Sequence, residues 1–143
     1  MPDIAVILPT LDERDNLAPM IERLESALAG HDWEAIFVDD DSSDGTADEA
    51  RALAQANRRV RALQRIGRRG LASAVIEGAC ATAAPVMVVM DADHQHDPAL
   101  IPTMLERLRG EADLVVASRF ADGASAHGLS SARREKGSRL ANR

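Results

Sequence analysis

Short apolar segments alternate along this chain with longer segments of helical period, and no other feature limits the possible folds as strongly. Each apolar segment is short, rich in Val, Ile or Leu, and bounded by polar or turn-forming residues. Strands that are apolar on both faces and separated by helices are typical of parallel β-α-β units. The predicted fold is therefore α/β, a doubly wound and mostly parallel sheet. The five candidate strands are residues 4–8, 34–38, 59–64, 86–90 and 113–117.

The segments between the strands predict four helices. The second is expected to begin with Ser43 or Asp44 as its cap and to run to Asn57, and the third covers about residues 69–83. The fourth is expected to open at Asp97 and to end by Gly110. The first is predicted from one helical stripe of apolar residues: Leu17, Met20, Ile21, Leu24 and Leu28.

Composition excludes several classes of protein. With 143 residues, 45% hydrophobic and 28% charged, the chain is expected to form one domain over residues 1–143. No apolar run approaches the roughly 18 residues that span a bilayer, and no basic segment precedes the first apolar run, so a cytoplasmic location without a transmembrane segment is predicted. Cys80 is the sequence's single cysteine, which excludes an internal disulfide, and the net charge of −6 argues against a nucleic-acid partner.

Acidic residues follow the second predicted strand. In doubly wound sheets ligands bind beyond the carboxyl ends of the strands, where Asp39 and Asp40 are placed. A carboxylate there can accept a hydrogen bond from a nucleotide's base or ribose, although a triple-Asp segment is also typical of a solvated turn. After the third strand, Gly67 and Gly70 would let the backbone turn closely into a helix N-terminus, which with Arg68 and Arg69 would offer donors and positive charge to a diphosphate.

The fourth predicted strand ends in Asp91 and Asp93, followed by Gln95. Two carboxylates separated by one residue beyond a buried strand, with a neutral oxygen nearby, suit Mg²⁺ or Mn²⁺ bound to phosphates. His94 and His96 either bind a softer metal or form simple hydrogen bonds. A metal site on Asp91, Asp93 and Gln95 is the prediction.

Taken in order, the loops resemble the family 2 glycosyltransferases, and most closely the dolichol-phosphate (polyprenol-phosphate) mannose synthases. "PTLDERDNL" is similar to the family's Pro-Thr-Tyr-Asn-Glu-x-x-Asn-Leu, and "VDDDSSDGT" to its Val-Asp-Asp-Gly-Ser-x-Asp-Gly-Thr. "GRRGLASAVIEG" resembles its Gly-Leu-Gly-x-Ala helix start, "MDADHQHDP" its Met-Asp-Ala-Asp-Leu-Gln-His-x-Pro, and "ASRF" its Gly-Ser-Arg-Tyr. The resemblance covers practically the whole chain. The chain departs from the family pattern at four positions. It has Leu11 where the family has Tyr, Asp12 in place of Asn, Asp41 in place of Gly and His94 in place of Leu.

The resemblance implies the GT-A fold of nucleotide-diphospho-sugar transferases, with strand order 3-2-1-4 and further strands. Residues 1–118 would form the nucleotide and metal core, and residues 119–143 the start of the acceptor region. The family continues beyond the length of this chain, so a C-terminal truncation is expected. The implied substrate-binding residues are Pro9, Thr10, Glu13, Asp39, Asp40, Arg69, Gly70, Asp91 and Ser138, and the implied catalytic residues are Asp93, Arg119 and Arg134.

The implied reaction moves a sugar from a nucleotide-diphosphate donor, GDP-mannose in the synthases, to a polyprenyl phosphate at the cytoplasmic face of a membrane. Arg119 would lie by the donor phosphates, while Arg134, Ser138 and Asn142 would meet the acceptor phosphate. Such an acceptor is largely ionised at neutral pH, so direct attack needs no general base and inverts the anomeric carbon.

Three alternatives compete with this interpretation. A phosphoacceptor signalling domain would need an acidic pair after the first strand and a Lys after the fifth, where the sequence has Pro9-Thr10 and Arg119. A transferase acting on a sugar hydroxyl would need a base carboxylate late in the chain, where Glu135 is the one acid beyond Gly123. A truncated domain that binds nucleotide sugar without turnover is the third.

Overall fold

The computed structural model describes residues 1–110 and 112–118 of the chain. They fall into two compact units, Met1–Pro102 and a second that begins at Thr103. None of the helices in this part of the chain has both the length and the hydropathy needed to cross a bilayer. The elements are β1 (Ile4–Thr10), α1 (Arg14–Ala27), β2 (Trp33–Asp39), α2 (Thr46–Ala56), β3 (Val60–Gln64), α3 (Leu71–Cys80), β4 (Val86–Val89), a single 3-10 turn (Pro98–Leu100) and α4 (Ile101–Leu108).

The four strands of the first unit form one parallel sheet in the order β3-β2-β1-β4. The predicted doubly wound sheet and its 3-2-1-4 order are thus confirmed. Register pairs Thr10 with Asp39 and Asp39 with Gln64, so the carboxyl ends of β1, β2 and β3 lie in one row. Asp40 N donates to Thr10 O at 2.9 Å, which extends the ladder one residue past β2.

Side chains of the central strands β1 and β2 are buried on both faces of the sheet. Ile7, Ile36 and Val38 form a buried cluster with Ala74 of α3 on one face. Side chains alternate along a strand, so Phe37, which is also fully buried, belongs to the opposite face. The five residues of the predicted α1 stripe are all buried, which confirms that prediction: Leu17, Met20, Ile21, Leu24 and Leu28.

Two helices begin a few residues later than predicted, because the glycine before each of them has a positive φ angle. Gly45 has φ +92°, so α2 begins at Thr46, after the predicted caps. Gly70 has φ +139°, so α3 begins at Leu71 and not near residue 69. Asp97 does cap the fourth segment, accepting from Ala99 N at 3.1 Å, although that segment begins as a 3-10 turn.

The prediction of a fifth strand is wrong for the described residues. Residues 113–117 have no strand pairing within the described chain, and Leu114 and Val116 are 78% and 73% exposed. An apolar run becomes a strand only where another strand accepts its backbone hydrogen bonds, and no neighbour in the described residues does so.

Candidate functional site

The carboxyl ends of β1 and β2 place two predicted nucleotide-binding residues side by side. Thr10 is 4% exposed, and its Oγ1 is the one buried side-chain oxygen or nitrogen among the described residues that lacks a hydrogen-bond partner. A buried hydroxyl without a partner is uncommon and costs stability, which points to a ligand group that would complete it. Pro9, the residue before it, is half-buried.

Asp39 lies opposite Thr10 in the sheet and is 1% exposed. Its carboxylate accepts from Ser42 N at 3.1 Å and from the Ser42 hydroxyl. These bonds close a turn just past β2 and fix the direction of the carboxylate. A carboxylate has about four acceptor positions, so Asp39 keeps acceptor capacity beyond its two bonds to Ser42.

Asp40 is bound from two sides within the protein. Arg65 Nη1 donates to its Oδ1, and Gly70 N donates to its Oδ2 at 2.6 Å. Asp40 and Gly70, both predicted to bind substrate, are therefore brought together. The present role of the Asp40 carboxylate is to hold the loop between β3 and α3 against the end of β2.

Arg65 is a buried residue beside the candidate site that the sequence did not single out. It is 2% exposed, and besides Asp40 it donates to Glu77 Oε1 at 3.2 Å, to Gly70 O at 3.2 Å and to the Ser73 hydroxyl. Burial lowers the pKa of Arg65, but the hydrogen bonds and charges of Asp40 and Glu77 outweigh burial and raise the pKa above its ordinary value. Its one sequence signal is its place directly after the β3 segment.

The other two arginines of this loop face solvent. Arg68 donates to both carboxylate oxygens of Glu77, at 2.8 and 3.1 Å. Arg69, predicted to bind the diphosphate, is exposed and donates from Nη2 to Asp41 O at 3.2 Å. Arg69 is therefore held beside the acidic turn and remains accessible.

Hydrogen bonds join the loop after β1 to the loop after β2. Glu13 N donates to Thr46 Oγ1 at 2.9 Å, and Arg14 N donates to Asp44 Oδ2 at 3.1 Å. Partial desolvation raises the pKa of Asp44, but hydrogen bonds from Thr46 and Arg14 outweigh it and hold the pKa below its ordinary value of 3.8. The Glu13 carboxylate, predicted to contact nucleotide, accepts from Asn16 Nδ2.

Three of the four departures from the family pattern occupy left-handed backbone positions: Asp12, Asp41 and His94. Asp12 has φ +56° and Asp41 has φ +60°. Each side chain is used locally: Asp12 Oδ1 accepts from Ser43 N at 2.9 Å, and Asp41 Oδ2 accepts from Gly67 N at 3.1 Å. Asp tolerates this conformation better than most residues, which explains how Asp41 stands where the family pattern has Gly.

The predicted metal ligands follow β4, the neighbour of β1. Asp91 has a side chain 53% exposed, and its backbone N donates to His96 Nδ1 at 3.2 Å. Asp93 Oδ1 accepts from Gln95 N at 3.1 Å, and Gln95 itself is exposed. The two carboxylates and the Gln95 amide therefore belong to one short, accessible loop.

The residues present fit Mg²⁺ or Mn²⁺ in the chemistry of their oxygen atoms. Within residues 1–110 and 112–118, no three His, Cys, Asp or Glu side chains gather closely enough to hold a metal by themselves. A pair of carboxylates that leaves most coordination positions open suits a cation that arrives with a diphosphate. Asp91 and Asp93 supply carboxylate oxygens of this kind within one loop.

The remaining predicted site residues lie outside the described part of the chain. They are Arg119, Arg134, Ser138 and Asn142.

Comparison with known proteins gives one family. The family model of Glycosyl transferase family 2 matches residues 5–142. The dolichol-phosphate mannosyltransferase of Pyrococcus furiosus is 40% identical over 120 residues, which cover 84% of this chain and 34% of that protein. The enzyme of the same name from Mycosarcoma maydis is 38% identical over 130 residues, covering 87% of this chain and 44% of that protein.

Solved structures agree in fold. A mannosyltransferase from Pyrobaculum calidifontis, in complex with GDP-Man and Mn²⁺, is 25% identical with a TM-score of 0.57, covering 64% of this chain and 28% of that one. Glucosyl-3-phosphoglycerate synthase from Mycobacterium tuberculosis, in complex with Mn²⁺, UDP-glucose and glycerol 3-phosphate, is 25% identical with a TM-score of 0.62. The match covers 77% of this chain and 41% of that one. The chain spans between a third and a half of the length of these curated relatives.

Proposed function

The chain belongs to glycosyl transferase family 2, and we propose that it transfers mannose from GDP-mannose to a polyprenyl phosphate with inversion at the anomeric carbon. The observation that carries the proposal is the joint position of Thr10, Asp91 and Asp93 at the carboxyl ends of the adjacent strands β1 and β4. Thr10 presents a buried hydroxyl without a partner, and the two carboxylates present hard oxygen ligands. In this proposal the nucleotide and cation sites would adjoin.

In this proposal the base and ribose bind at the ends of β1 and β2. Thr10 Oγ1 donates to or accepts from the nucleotide, and Asp39 accepts from it with its free acceptor capacity. Asp40 takes the role of a positioning residue, because its carboxylate is paired with the buried Arg65 guanidinium and accepts from Gly70 N, whereas Asp39 accepts from Ser42 and has no paired cation among the described residues. Pro9 and Glu13 would contact the same nucleotide, and Arg69 and Gly70 would contact its diphosphate, as the family resemblance implies.

Asp91, Asp93 and Gln95 would hold Mg²⁺ or Mn²⁺ on the donor diphosphate. When bound, such a cation neutralises charge that develops on the leaving nucleoside diphosphate. Arg119 would bind the same phosphates, and Arg134 with Ser138 would bind the acceptor phosphate, as the family resemblance implies. An arginine fork between two anionic groups offsets their repulsion, so the chain's main task is to position two phosphates near each other.

No residue needs to act as a general base in this reaction. A phosphate monoester has its second pKa at about 6, so the acceptor oxygen is largely ionised at neutral pH. The protein then has to exclude water and align the acceptor with the anomeric carbon. In this proposal residues 1–118 form the nucleotide and metal core of one domain and residues 119–143 begin the acceptor region, at the cytoplasmic face of a membrane.

Transfer from a different nucleotide sugar is the second candidate. The similarity to a solved glucosyl-3-phosphoglycerate synthase in complex with UDP-glucose and Mn²⁺ favours it. Binding without turnover is the third, because the chain spans between a third and a half of the curated relatives' length.

Calorimetric titration of GDP-mannose and UDP-glucose, each with and without Mn²⁺, tests donor and metal together. We expect GDP-mannose to bind more tightly with Mn²⁺, and Asp93→Ala to remove this gain. Asp3→Ala is the matched control. Asp3 is an exposed carboxylate directly before β1, at the amino ends of the strands and therefore on the side of the sheet away from the proposed site. Equal binding with and without Mn²⁺ in the unmodified chain contradicts the metal role, and tighter UDP-glucose binding selects the second candidate.

Transfer of radiolabelled mannose to polyprenyl phosphate then tests turnover. Product with inverted configuration is expected. Donor binding that depends on Mn²⁺ but yields no labelled lipid would instead favour a domain that binds nucleotide sugar without transfer.

A further inference from the structure

Arg23 of α1 contacts the loop that carries the proposed metal ligands at two places. Its Nη1 lies 3.1 Å from His94 Nδ1, and its Nη2 donates to Asp97 Oδ1 at 3.2 Å. A guanidinium only donates, so His94 Nδ1 is the acceptor and the ring carries its proton on Nε2. We call these three residues, Arg23, His94 and Asp97, the Arg23 clamp.

The clamp holds a loop whose backbone needs support. His94 has φ +62°, a left-handed conformation that is uncommon for a non-glycine residue and that contacts with neighbouring residues help to maintain. On one side of His94, Asp93 Oδ1 accepts from Gln95 N at 3.1 Å, so the same turn sets the direction of the Asp93 carboxylate. At the far end, Asp97 also accepts from Ala99 N at 3.1 Å and caps the Pro98–Leu100 turn.

The clamp is exposed and contributes little to folding. The side chains of Arg23 and Asp97 are 37% and 60% exposed, and exposed ion pairs stabilise a protein by small amounts. The helix α1 is anchored instead by its buried stripe, including Leu17 and Leu24. A change at Arg23 can therefore alter the loop while the fold remains intact.

His94 stands where the resembling family has Leu, which cannot accept a hydrogen bond. The clamp thus depends on a residue that departs from the family motif quoted above. The family's metal motif alone does not account for the contact between Arg23 and His94.

We propose that Arg23 is a positioning residue that fixes residues 91–97 so that Asp91 and Asp93 are held ready for a divalent cation. The inference rests on the proposed metal-dependent function. Arg23 is not one of the proposed ligands of the cation or of the substrate. It acts through His94, which adjoins Asp93, and through Asp97, which anchors the end of the loop.

Two measurements on Arg23→Gln test the proposal. The first is Mn²⁺ affinity in the presence of GDP, followed by the electron paramagnetic resonance signal of free Mn²⁺, and we expect a loss of about tenfold. The second is amide hydrogen exchange of residues 91–97 without metal, which should become faster. The matched control is Arg51→Gln, because Arg51 is another exposed helix arginine with an exposed carboxylate partner, Asp48.

A double-mutant cycle with His94→Leu separates the clamp from general effects of removing charge. If Arg23 acts through His94, each single variant weakens Mn²⁺ binding. The loss of binding free energy in the double variant should then be smaller than the sum of the losses in the two single variants. Arg23→Lys should recover part of the affinity, because an ammonium can reach one partner but cannot fork between two.

The outcomes distinguish this proposal from the proposed function. Unchanged Mn²⁺ affinity in Arg23→Gln, while Asp93→Ala loses it, overturns the positioning role and leaves the metal site standing. If Asp93→Ala and the unmodified chain bind Mn²⁺ equally, the proposed metal site fails. Hydrogen exchange then decides whether Arg23 holds the loop: faster exchange in Arg23→Gln alone supports the hold, and unchanged exchange rejects it.

Discussion

Arg65 and Asp40 form an ion pair between two buried side chains, with the arginine 2% exposed and the carboxylate bound on its other side by Gly70 N. The pair joins the end of β2 to the loop before α3. Removal of the cation would leave Asp40 buried beside Glu77 with no counter-charge from Arg65, and breaking a buried pair on one side is strongly destabilising. This pair is therefore a structural requirement for the edge of the sheet on which the nucleotide is proposed to bind.

Arg65→Met should lower the melting temperature by roughly 5 °C or more, as measured by circular dichroism. Arg68→Met is the control, because Arg68 shares the partner Glu77 but is 60% exposed. The control should shift the melting temperature by about 2 °C or less. Equal shifts for both variants would contradict the structural importance of the buried pair.

Thr10→Val should raise stability and weaken nucleotide binding at the same time. The hydroxyl is buried without a partner, so its replacement by a methyl group should gain about 1–3 kcal/mol in the free energy of unfolding. The same change should reduce GDP affinity by about threefold to tenfold through one lost hydrogen bond. Urea unfolding and calorimetry measure the two effects.

Thr46→Val is the control for Thr10→Val. Thr46 is equally buried, but its hydroxyl accepts from Glu13 N and donates to Asp44, so its loss should destabilise the protein. A Thr10→Val variant that binds GDP as tightly as the unmodified chain would remove Thr10 from the proposed nucleotide site.

Asp44→Asn should reduce stability near neutral pH and have little effect in acid. Asp44 Oδ1 accepts from Thr46 and Oδ2 accepts from Arg14 N, whereas an Asn can accept with one oxygen only. The pKa of Asp44 is held below 3.8 in the folded protein. Its contribution is therefore present above 3.8 and is lost as the pH falls through the lower folded value.

Urea unfolding of Asp44→Asn and the unmodified chain at pH 7, 5 and about 3 would follow this dependence. The two midpoints should differ at pH 7 and 5 and draw together in acid. A difference between the two midpoints that grows as the pH falls would contradict the lowered pKa of Asp44 in the folded protein.

Gly78→Ala should destabilise the packing of α3 on the sheet. A Cβ at this position would lie 2.6 Å from Ile7 Cγ2 and 3.0 Å from Val38 Cγ2, too close on both sides. Overpacking costs about 1–3 kcal/mol, against a gain of about 1 kcal/mol in helix propensity. Denaturant unfolding should show a net loss.

Gly110→Ala serves as the control, because the nearest atom to its Cβ would be Arg107 O at 3.4 Å. It should leave the free energy of unfolding within about 0.5 kcal/mol. A Gly78→Ala variant as stable as this control would mean that α3 can move away from β1 and β2 at little cost.

Local pattern in the sequence determined the architecture. The apolar runs alternating with amphipathic segments predicted the parallel sheet, because a strand buried on both faces and a helix buried on one differ in period. The α1 stripe and the Asp97 cap were predictable for the same reason, since both depend on residues a few positions apart. The ends of the strands were predictable as well, and they placed Thr10, Asp39, Asp91 and Asp93 at the carboxyl ends of the parallel strands.

Tertiary structure decided which charged residues are buried and with what partners. Arg65, Arg68 and Arg69 lie within five residues of one another, yet only Arg65 among them is buried, because it alone meets Asp40, 25 positions earlier in the chain. The clamp between Arg23 and His94 spans 71 positions and depends on the packing of two distant segments. Residues 113–117 have strand-like composition but no strand pairing in the described chain, because composition cannot supply a partner strand. Periodicity fixes what an element buries, whereas contacts between elements fix how a charge is satisfied.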